Sequence, residues 1–267
     1  MSNQLLTEVL YRNRFKKNLV RPEVLSLFHF YNDVMDSSRW GQTMWKSDET
    51  TFALPAREFS PRQNCLYVAY PTDTHVLTLS LYPALNLNCF TFEMIFEVLE
   101  AKSSDNDELE ILFKSAQNET LLKYAMSGYK VNGPNYDLRY YDAFLTDENA
   151  DVSPTTTLYS SLTGSGGGTI YATKTLMLTG QQGIYSAYGQ SFVSYPYGWS
   201  KTSGASTVLT STATPGLVSS IEFHTNYLYF KELRILSNIC RLTGDYNYST
   251  NSWTPPSTRY TGTEGYS

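Results

Sequence analysis

The chain has 267 residues and a formal net charge of −5, with 20 basic and 25 acidic side chains. Its hydrophobic fraction of 41% is too high for a wholly disordered polypeptide. No run approaches the roughly 18 consecutive apolar residues of a membrane-spanning helix, which excludes insertion of a helix into a membrane. The acidic balance argues against a protein that wraps duplex nucleic acid, because such proteins carry excess positive charge.

The first 23 residues predict a basic arm or helix. In residues 1–21 five basic residues stand against the single acidic Glu8, and apolar residues recur at helical spacing between Leu5 and Leu10. Pro22 ends the helix, because the residue before a proline avoids the α region. We expect this segment either to dock on an acidic partner surface or to pack against its own domain. It lacks the apolar block and cleavage site of a secretory signal, which predicts synthesis in the cytoplasm.

Alternating apolar and polar residues predict β-strands from residue 24 to residue 242. Three leucines occupy every second position of residues 75–83, which places them on the buried side of a sheet and Val76 on the other side. In residues 89–101 phenylalanines alternate with glutamates, which predicts that the glutamate face meets water. Roughly ten or more such strands, separated by turns and without crossover helices, predict an antiparallel sandwich or barrel.

One strand pairing can be predicted from the order of the strands. The polar run at 102–108 lies between the strand candidates 89–101 and 108–116. A polar tip between two alternating segments is typical of a hairpin with a long loop. The two segments are therefore predicted to pair antiparallel.

The three cysteines predict buried free thiols rather than a metal site or a disulfide. Cys65, Cys89 and Cys240 lie far apart and form no C-x-x-C pair, so their spacing fits no zinc site. Cys89 and Cys240 lie in or next to apolar strand-like runs, and a free cysteine behaves there as a small hydrophobic residue.

The segment 243–267 is polar with interspersed aromatic residues and the pair Pro255-Pro256. Proline prevents regular structure at that point, and exposed aromatic rings are costly to leave uncovered. We therefore predict an extended arm that lies along the domain or on a neighbouring subunit. The predicted organisation is a basic arm or helix at 1–23, a β-sandwich domain at 24–242 and this aromatic arm.

Two stretches carry a resemblance to a known family. LNCFTFEMIFEVLEA is similar to a strand of laminin G-like and concanavalin A-like domains, and NYLYFKELRILS resembles their closing strand, in which Glu232-Leu233-Arg234-Ile235 match an acidic-aliphatic-Arg-aliphatic ending. The resemblance covers about residues 75–237. It implies an all-β, antiparallel jelly-roll sandwich with a hairpin around residues 180–183, and for the family frequent carbohydrate or protein binding. The composition also resembles that of bacteriophage virion proteins.

Residues that could carry chemistry are sparse. His29, His75 and His224 are isolated in sequence, so we expect neither a zinc site nor a catalytic triad. The sequence therefore predicts no catalytic residues, no bound metal and no cofactor. Glu108 and Glu110 share one face of a strand, at the order of separation that retaining glycosidases use. Their segment lacks the E-x-D-x-x-E signature of jelly-roll hydrolases, and the Gln-x-His strand of the lyases is absent. A polysaccharide-cleaving enzyme is therefore the alternative to a non-enzymatic protein.

Aromatic residues in loops form the predicted carbohydrate site. SYPYGWS places Tyr195, Tyr197 and Trp199 in a loop with proline and glycine, where aromatic rings stack well on sugar faces. RWGQTMW offers Trp40 and Trp45 for the same purpose. Packing at the ends of the sandwich or at subunit contacts is the open alternative for all of these rings.

Together these features predict a non-enzymatic structural or adhesion protein of a bacteriophage virion, made in the host cytoplasm. The two terminal arms would bind other subunits of the assembly, including further copies of the chain in a homo-oligomer. Symmetric copies would make individually modest contacts strong. Surface carbohydrate is the further expected partner, whereas nucleic acid and membrane insertion are not expected.

Overall fold

The structure is a computed structural model. It describes residues 24–30, 32–48, 50–53, 65–68, 75–98, 108–132, 136–147, 156–164, 172–181, 183–195, 198–201, 205–210, 216–225, 228–237, 245–247 and 252–254. None of these residues forms a helix that is long and apolar enough to cross a membrane.

The described part of the chain consists of β-strands and their connections. The strands are β1 (Val24–Phe28), β2 (Thr43–Lys46), β3 (Thr50–Ala53), β4 (Cys65–Val68), β5 (His75–Asn86), β6 (Cys89–Val98), β7 (Glu108–Lys114), β8 (Thr120–Asn132), β9 (Tyr136–Asp147), β10 (Thr156–Gly164), β11 (Ala172–Gln181), β12 (Ile184–Tyr195), β13 (Gly198–Lys201), β14 (Ala205–Thr210), β15 (Leu217–Thr225), β16 (Leu228–Ser237), β17 (Asp245–Asn247) and β18 (Ser252–Thr254).

The strands form two large sheets and one small one. The nine-stranded sheet has the order β13-β12-β11-β6-β16-β4-β3, with β1 beside β16 and β14 beside β12. The seven-stranded sheet has the order β10-β9-β8-β7-β15-β5-β2, and β17 pairs with β18. Every described pairing is antiparallel, and several connect strands that are distant in sequence. The predicted antiparallel jelly-roll sandwich is confirmed, and with it the architecture that the concanavalin A-like resemblance implies.

Phenylalanine rings from the two large sheets meet in the core. The ring centroid of Phe92 in β6 lies 5.7 Å from that of Phe113 in β7 and 6.2 Å from that of Phe223 in β15. Phe230 of β16 packs edge to face against Phe223 at 5.8 Å. All four rings are fully buried, and burial of each contributes about 1.5–3 kcal/mol to stability. These contacts hold the two sheets face to face.

The predicted pairing of 89–101 with 108–116 is wrong. β6 pairs with β11 and β16 in the nine-stranded sheet, whereas β7 pairs with β8 and β15 in the seven-stranded sheet. Apolar side chains recur at every second position of both strands, and that pattern fits a partner in either sheet. The hairpin implied around residues 180–183 is confirmed, because β11 and β12 are paired from Ala172↔Val193 to Gln181↔Ile184.

The terminal arms are described only in small part. Residues 1–23 lie outside the described residues, so the basic arm or helix remains a prediction, as do the boundaries of the β domain. In the segment 243–267 the strands β17 and β18 form an antiparallel pair that sets Tyr246 opposite Trp253. These two strands pair with each other, and both the extended arm and the surface on which it would lie remain predictions.

The cysteines differ from the expectation of free thiols. Cys89 is disulfide-bonded, so the prediction of a free thiol is wrong for this residue. The apolar sequence around Cys89 predicts burial but does not indicate whether the sulfur has a covalent partner. Cys65 is a buried thiol outside any disulfide, as expected, and its burial raises the pKa of the thiol from 9.0 to about 12. Cys240 lies outside the described residues.

Candidate functional site

The outer faces of the two large sheets differ in solvent access. On the nine-stranded sheet the outward-pointing Thr91, Met177 and Tyr229 are buried, and so is Glu97. The prediction that the glutamate face of β6 meets water is therefore wrong for Glu97, whose carboxylate lies 2.6 Å from the buried Lys231 ammonium. The outer face of the seven-stranded sheet is partly exposed, and we call it the open face.

Two rows of side chains cross the open face. Directly opposed residues of neighbouring strands share a face, so the strand register orders both rows. The first row passes from β2 to β9 through Trp45, Thr78, Glu222, Leu112, Lys123 and Thr146. With about 4.8 Å between strands, this first row is about 24 Å long. The second row is shorter and passes from β5 to β7 through His75, His224 and Glu110.

A β-bulge at the start of β5 brings His75 to the open face. The register shifts between Phe223 and His224, so that Phe223 opposes Leu77 while His224 opposes His75. Val76 becomes the extra residue and is buried like Leu77, contrary to the strict alternation predicted for residues 75–83. The bulge thereby places His75 on the same side as His224.

Three rings form a continuous aromatic run on this face. The imidazoles of His75 and His224 stack with centroids 4.8 Å apart and an angle of 9° between their planes. The Trp45 indole lies 5.3 Å from the His75 ring and is tilted by 49°. Trp45 is 52% exposed, and the Thr78 hydroxyl lies 2.7 Å from Nε2 of His75. The open face thus combines an accessible indole with imidazole and hydroxyl groups.

Charged groups lie beside the two histidines. Oε2 of Glu222 is 3.4 Å from Nε2 of His224 and 3.6 Å from the Lys114 ammonium. Glu110, directly opposite His224 in the register, forms an ion pair with Lys123. These side chains are partly exposed, so the pairs position the groups more than they stabilise the fold.

A depression of about 360 Å³ adjoins this cluster. Its walls come from β7, β8 and β9, and it contains the Glu110–Lys123 ion pair. The depression is open toward solvent, which makes its polar groups accessible to a ligand. It is lined by Glu110, Leu112, Thr120, Lys123, Thr146 and Asp147.

The predicted aromatic site lies elsewhere. The backbone of Tyr195 is in β12 opposite Gly198, and that of Trp199 is in the edge strand β13 opposite Ser194. Tyr197 lies outside the described residues. The backbone of Tyr195 and Trp199 belongs to the nine-stranded sheet, and the three residues remain a predicted site.

The two tryptophans of RWGQTMW lie in different surroundings. Trp40 is 39% exposed, in the loop before β2, and the Arg39 guanidinium lies over its ring at 4.8 Å from the centroid. Trp45 lies on the open face in β2. Of this pair, Trp45 is therefore the one placed among groups that could orient a ligand.

Glu108 and Glu110 of β7 are the carboxylates that the enzymatic alternative would use. Glu108 and Glu110 share a face of the strand by backbone position, and Glu110 is occupied by Lys123. Sequence reasoning did not group His75, Glu222 and His224, which the structure brings together. The alternation in IEFHT places Glu222 and His224 on one face, but no sequence pattern indicates that β5 lies next to it.

Comparison with known proteins identifies no family for the chain. No protein-family model matches it, and no curated protein matches its sequence. Similar solved structures include the lumenal domain of VIP36 in a Ca²⁺/Man2-bound form, with 9% identity, a TM-score of 0.44 and coverage of 88% of this chain and 98% of that chain.

Two further structures are similar over most of the chain. The CBM2 module of the evolved Dit of Lactobacillus casei BL23 phage J-1 has 10% identity, a TM-score of 0.38 and coverage of 80% of this chain and 94% of that chain. An alginate lyase from Alteromonas sp. 272 has 9% identity, a TM-score of 0.33 and coverage of 71% and 91%. At these values the function has to be argued from the residues of the open face.

Proposed function

We propose that the chain is a non-enzymatic carbohydrate-binding protein and that the open face is its binding surface. The observation that carries this proposal is the exposed indole of Trp45 at the end of a row of polar side chains. An indole face stacks favourably on the apolar face of a pyranose ring. Sugar sites pair such a surface with a few polar groups that orient the hydroxyls.

The polar groups beside Trp45 suit this task. Thr78 lies directly opposite Trp45 in the register, and Glu222 lies opposite Thr78 on the next strand. Hydroxyl and carboxylate oxygens accept hydrogen bonds from sugar hydroxyls, and the imidazole of His75 both donates and accepts in its neutral form. The row continues for about 24 Å, which suits an extended oligosaccharide better than one monosaccharide.

We further propose that this recognition serves adhesion by a virion. The support is in the sequence: the basic segment 1–23 and the aromatic segment 243–267 are suited to contacts with neighbouring subunits. Repetition of the chain in a homo-oligomer would multiply weak sugar contacts into strong attachment. Light scattering of the full chain, compared with a chain limited to residues 24–242, tests the assembly. If both are monomeric and neither binds particle components, the virion role is wrong.

A glycan array with matched tryptophan variants tests the binding site. We expect Trp45→Ala to lose the glycan signal, because the stacking surface is removed, and Trp40→Ala to keep it. Trp199→Ala tests the hairpin site in parallel. Loss in Trp199→Ala alone would move the site to the β12–β13 hairpin, and absence of any glycan signal in the unmodified chain would refute carbohydrate binding.

The cluster of His75, His224 and Glu222 favours a polysaccharide-cleaving enzyme as the second candidate. Imidazole and carboxylate groups in contact on an accessible face are suited to proton transfer. Reducing-sugar release and absorbance of unsaturated products, measured on a polysaccharide panel, test this candidate. Turnover that is lost in His224→Ala and in Glu110→Gln would replace the binding function with an enzymatic one.

A further inference from the structure

We propose that His75, Glu222 and His224 form a binding site for a divalent transition-metal ion of the Zn²⁺ class. One nitrogen of each imidazole and a carboxylate oxygen of Glu222 all lie within 4.8 Å of one another. The three groups come from two neighbouring strands whose main chains are held by the sheet. This inference does not depend on carbohydrate binding.

The backbone places the three ligands without a loop. Glu222 and His224 are two residues apart on β15 and therefore share a face. The bulge at Val76 turns His75 to the same face, directly opposite His224. A tetrahedral ion with bonds of about 2.0–2.1 Å needs ligand atoms about 3.4 Å apart. The three atoms lie within 4.8 Å of one another, so binding of an ion would require rotation of the side chains about their χ angles.

The donor set selects the class of ion. Two imidazole nitrogens and one carboxylate oxygen are a ligand set of catalytic zinc sites, which leave a fourth position open. Calcium and magnesium prefer oxygen ligands throughout. Imidazole also binds copper and nickel, and the affinity of such a site for divalent ions generally rises from manganese to copper and falls again at zinc. The site therefore takes zinc and its neighbours in the first transition row rather than calcium.

Surrounding side chains are placed to tune the site. The Thr78 hydroxyl, 2.7 Å from Nε2 of His75, holds that ring as an outer hydrogen-bond partner. The Lys114 ammonium, 3.6 Å from Oε2 of Glu222, competes with a metal ion for the same carboxylate. The side chains of His224 and Glu222 are 24% and 18% exposed, so an ion can enter from solvent and keep a position for water or a ligand oxygen.

Isothermal titration of the full chain with ZnCl2 tests the site, using protein without a polyhistidine tag. We expect one ion per chain, no comparable binding of CaCl2, and binding weakened by at least about 100-fold in His75→Ala and His224→Ala, since loss of outer partners alone costs 10–100-fold. Lys114→Met should bind zinc more tightly, because the competing cation is removed.

The third histidine provides the matched control. His29 follows β1 on the nine-stranded sheet, and its Nδ1 lies 3.5 Å from Oε2 of Glu232. His29→Ala should bind zinc as the unmodified chain does. Absence of zinc binding in the unmodified chain, binding that persists in both His75→Ala and His224→Ala, or equal loss in His29→Ala would overturn the proposal.

A measurement on the unmodified chain keeps the test decisive if a variant does not fold. Zinc should protect His75 and His224 from diethyl pyrocarbonate, with modification mapped by mass spectrometry, and should leave His29 reactive. Equal modification of His75 and His224 with and without zinc would refute the site. Zinc binding in Trp45→Ala should match that of the unmodified chain, which separates this site from the sugar surface.

Discussion

Replacement of Lys231 by methionine is expected to destabilise the protein strongly. Lys231 in β16 and Glu97 in β6 form an ion pair with 2.6 Å between Nζ and Oε2 and with side chains only 6% and 5% exposed. The substitution preserves most of the side-chain volume and removes the ammonium. The Glu97 carboxylate then stays buried without this cation, which is unfavourable in a medium of low polarity.

The expected magnitude follows from the distance and the burial. At an effective dielectric constant of 20, two unit charges 2.6 Å apart attract by about 6 kcal/mol. Desolvation of two buried ions costs several kcal/mol each, so the pair as a whole is close to neutral. Removal of one partner loses the attraction and keeps the desolvation of the other, which predicts a loss of about 3–5 kcal/mol. Such a loss is a large share of the typical stability of a domain.

Urea unfolding followed by circular dichroism measures the effect in a double-mutant cycle. Lys231→Met and Glu97→Met should each be strongly destabilised, whereas the double variant should lie within about 1–2 kcal/mol of the unmodified chain. Lys123→Met is the control, because its pair with Glu110 is partly exposed and is worth less than about 1 kcal/mol. A Lys231→Met loss no larger than that of Lys123→Met, or a double variant as unstable as the sum of the singles, would refute the reasoning.

Two further predictions concern close packing and burial. Gly180→Ala should lower the free energy of unfolding by about 1–3 kcal/mol, because a Cβ would overlap Cε1 of Phe90 and lie 2.5 Å from the Leu87 carbonyl oxygen; unchanged urea unfolding would contradict this. Cys65 should resist a thiol reagent at pH 8 until the chain is unfolded, because burial raises its pKa to about 12; rapid labelling of the native chain would contradict this. The same shift predicts alkaline destabilisation: the unfolded chain releases the thiol proton near pH 9, so stability falls by about 1.4 kcal/mol per pH unit from there to about 12. Cys65→Ala should show a smaller alkaline loss, and an equal loss would assign the effect to other groups.

The order of apolar and polar residues along a strand determines which of its two faces is buried. The leucines of 75–83 and the phenylalanines of 89–101 are buried at alternate positions as predicted, because side chains of an extended chain point to opposite faces with a period of two. The same periodicity, together with the absence of crossover helices, is sufficient to predict an antiparallel sandwich. Local pattern therefore predicts the class of fold and the buried side of most strands.

Pairing between distant strands is decided by the tertiary structure. Nothing in residues 89–101 distinguishes β7 from β11 or β16 as a partner, because the alternation along one strand does not specify which strand lies beside it. Contacts with neighbouring strands and with chain segments that cover the sheet decide three further features. These are the burial of Glu97, the disulfide of Cys89 and the bulge at Val76. The approach of His75 to His224 has the same origin: almost 150 positions separate them in the chain, and hydrogen bonding between β5 and β15 makes them neighbours.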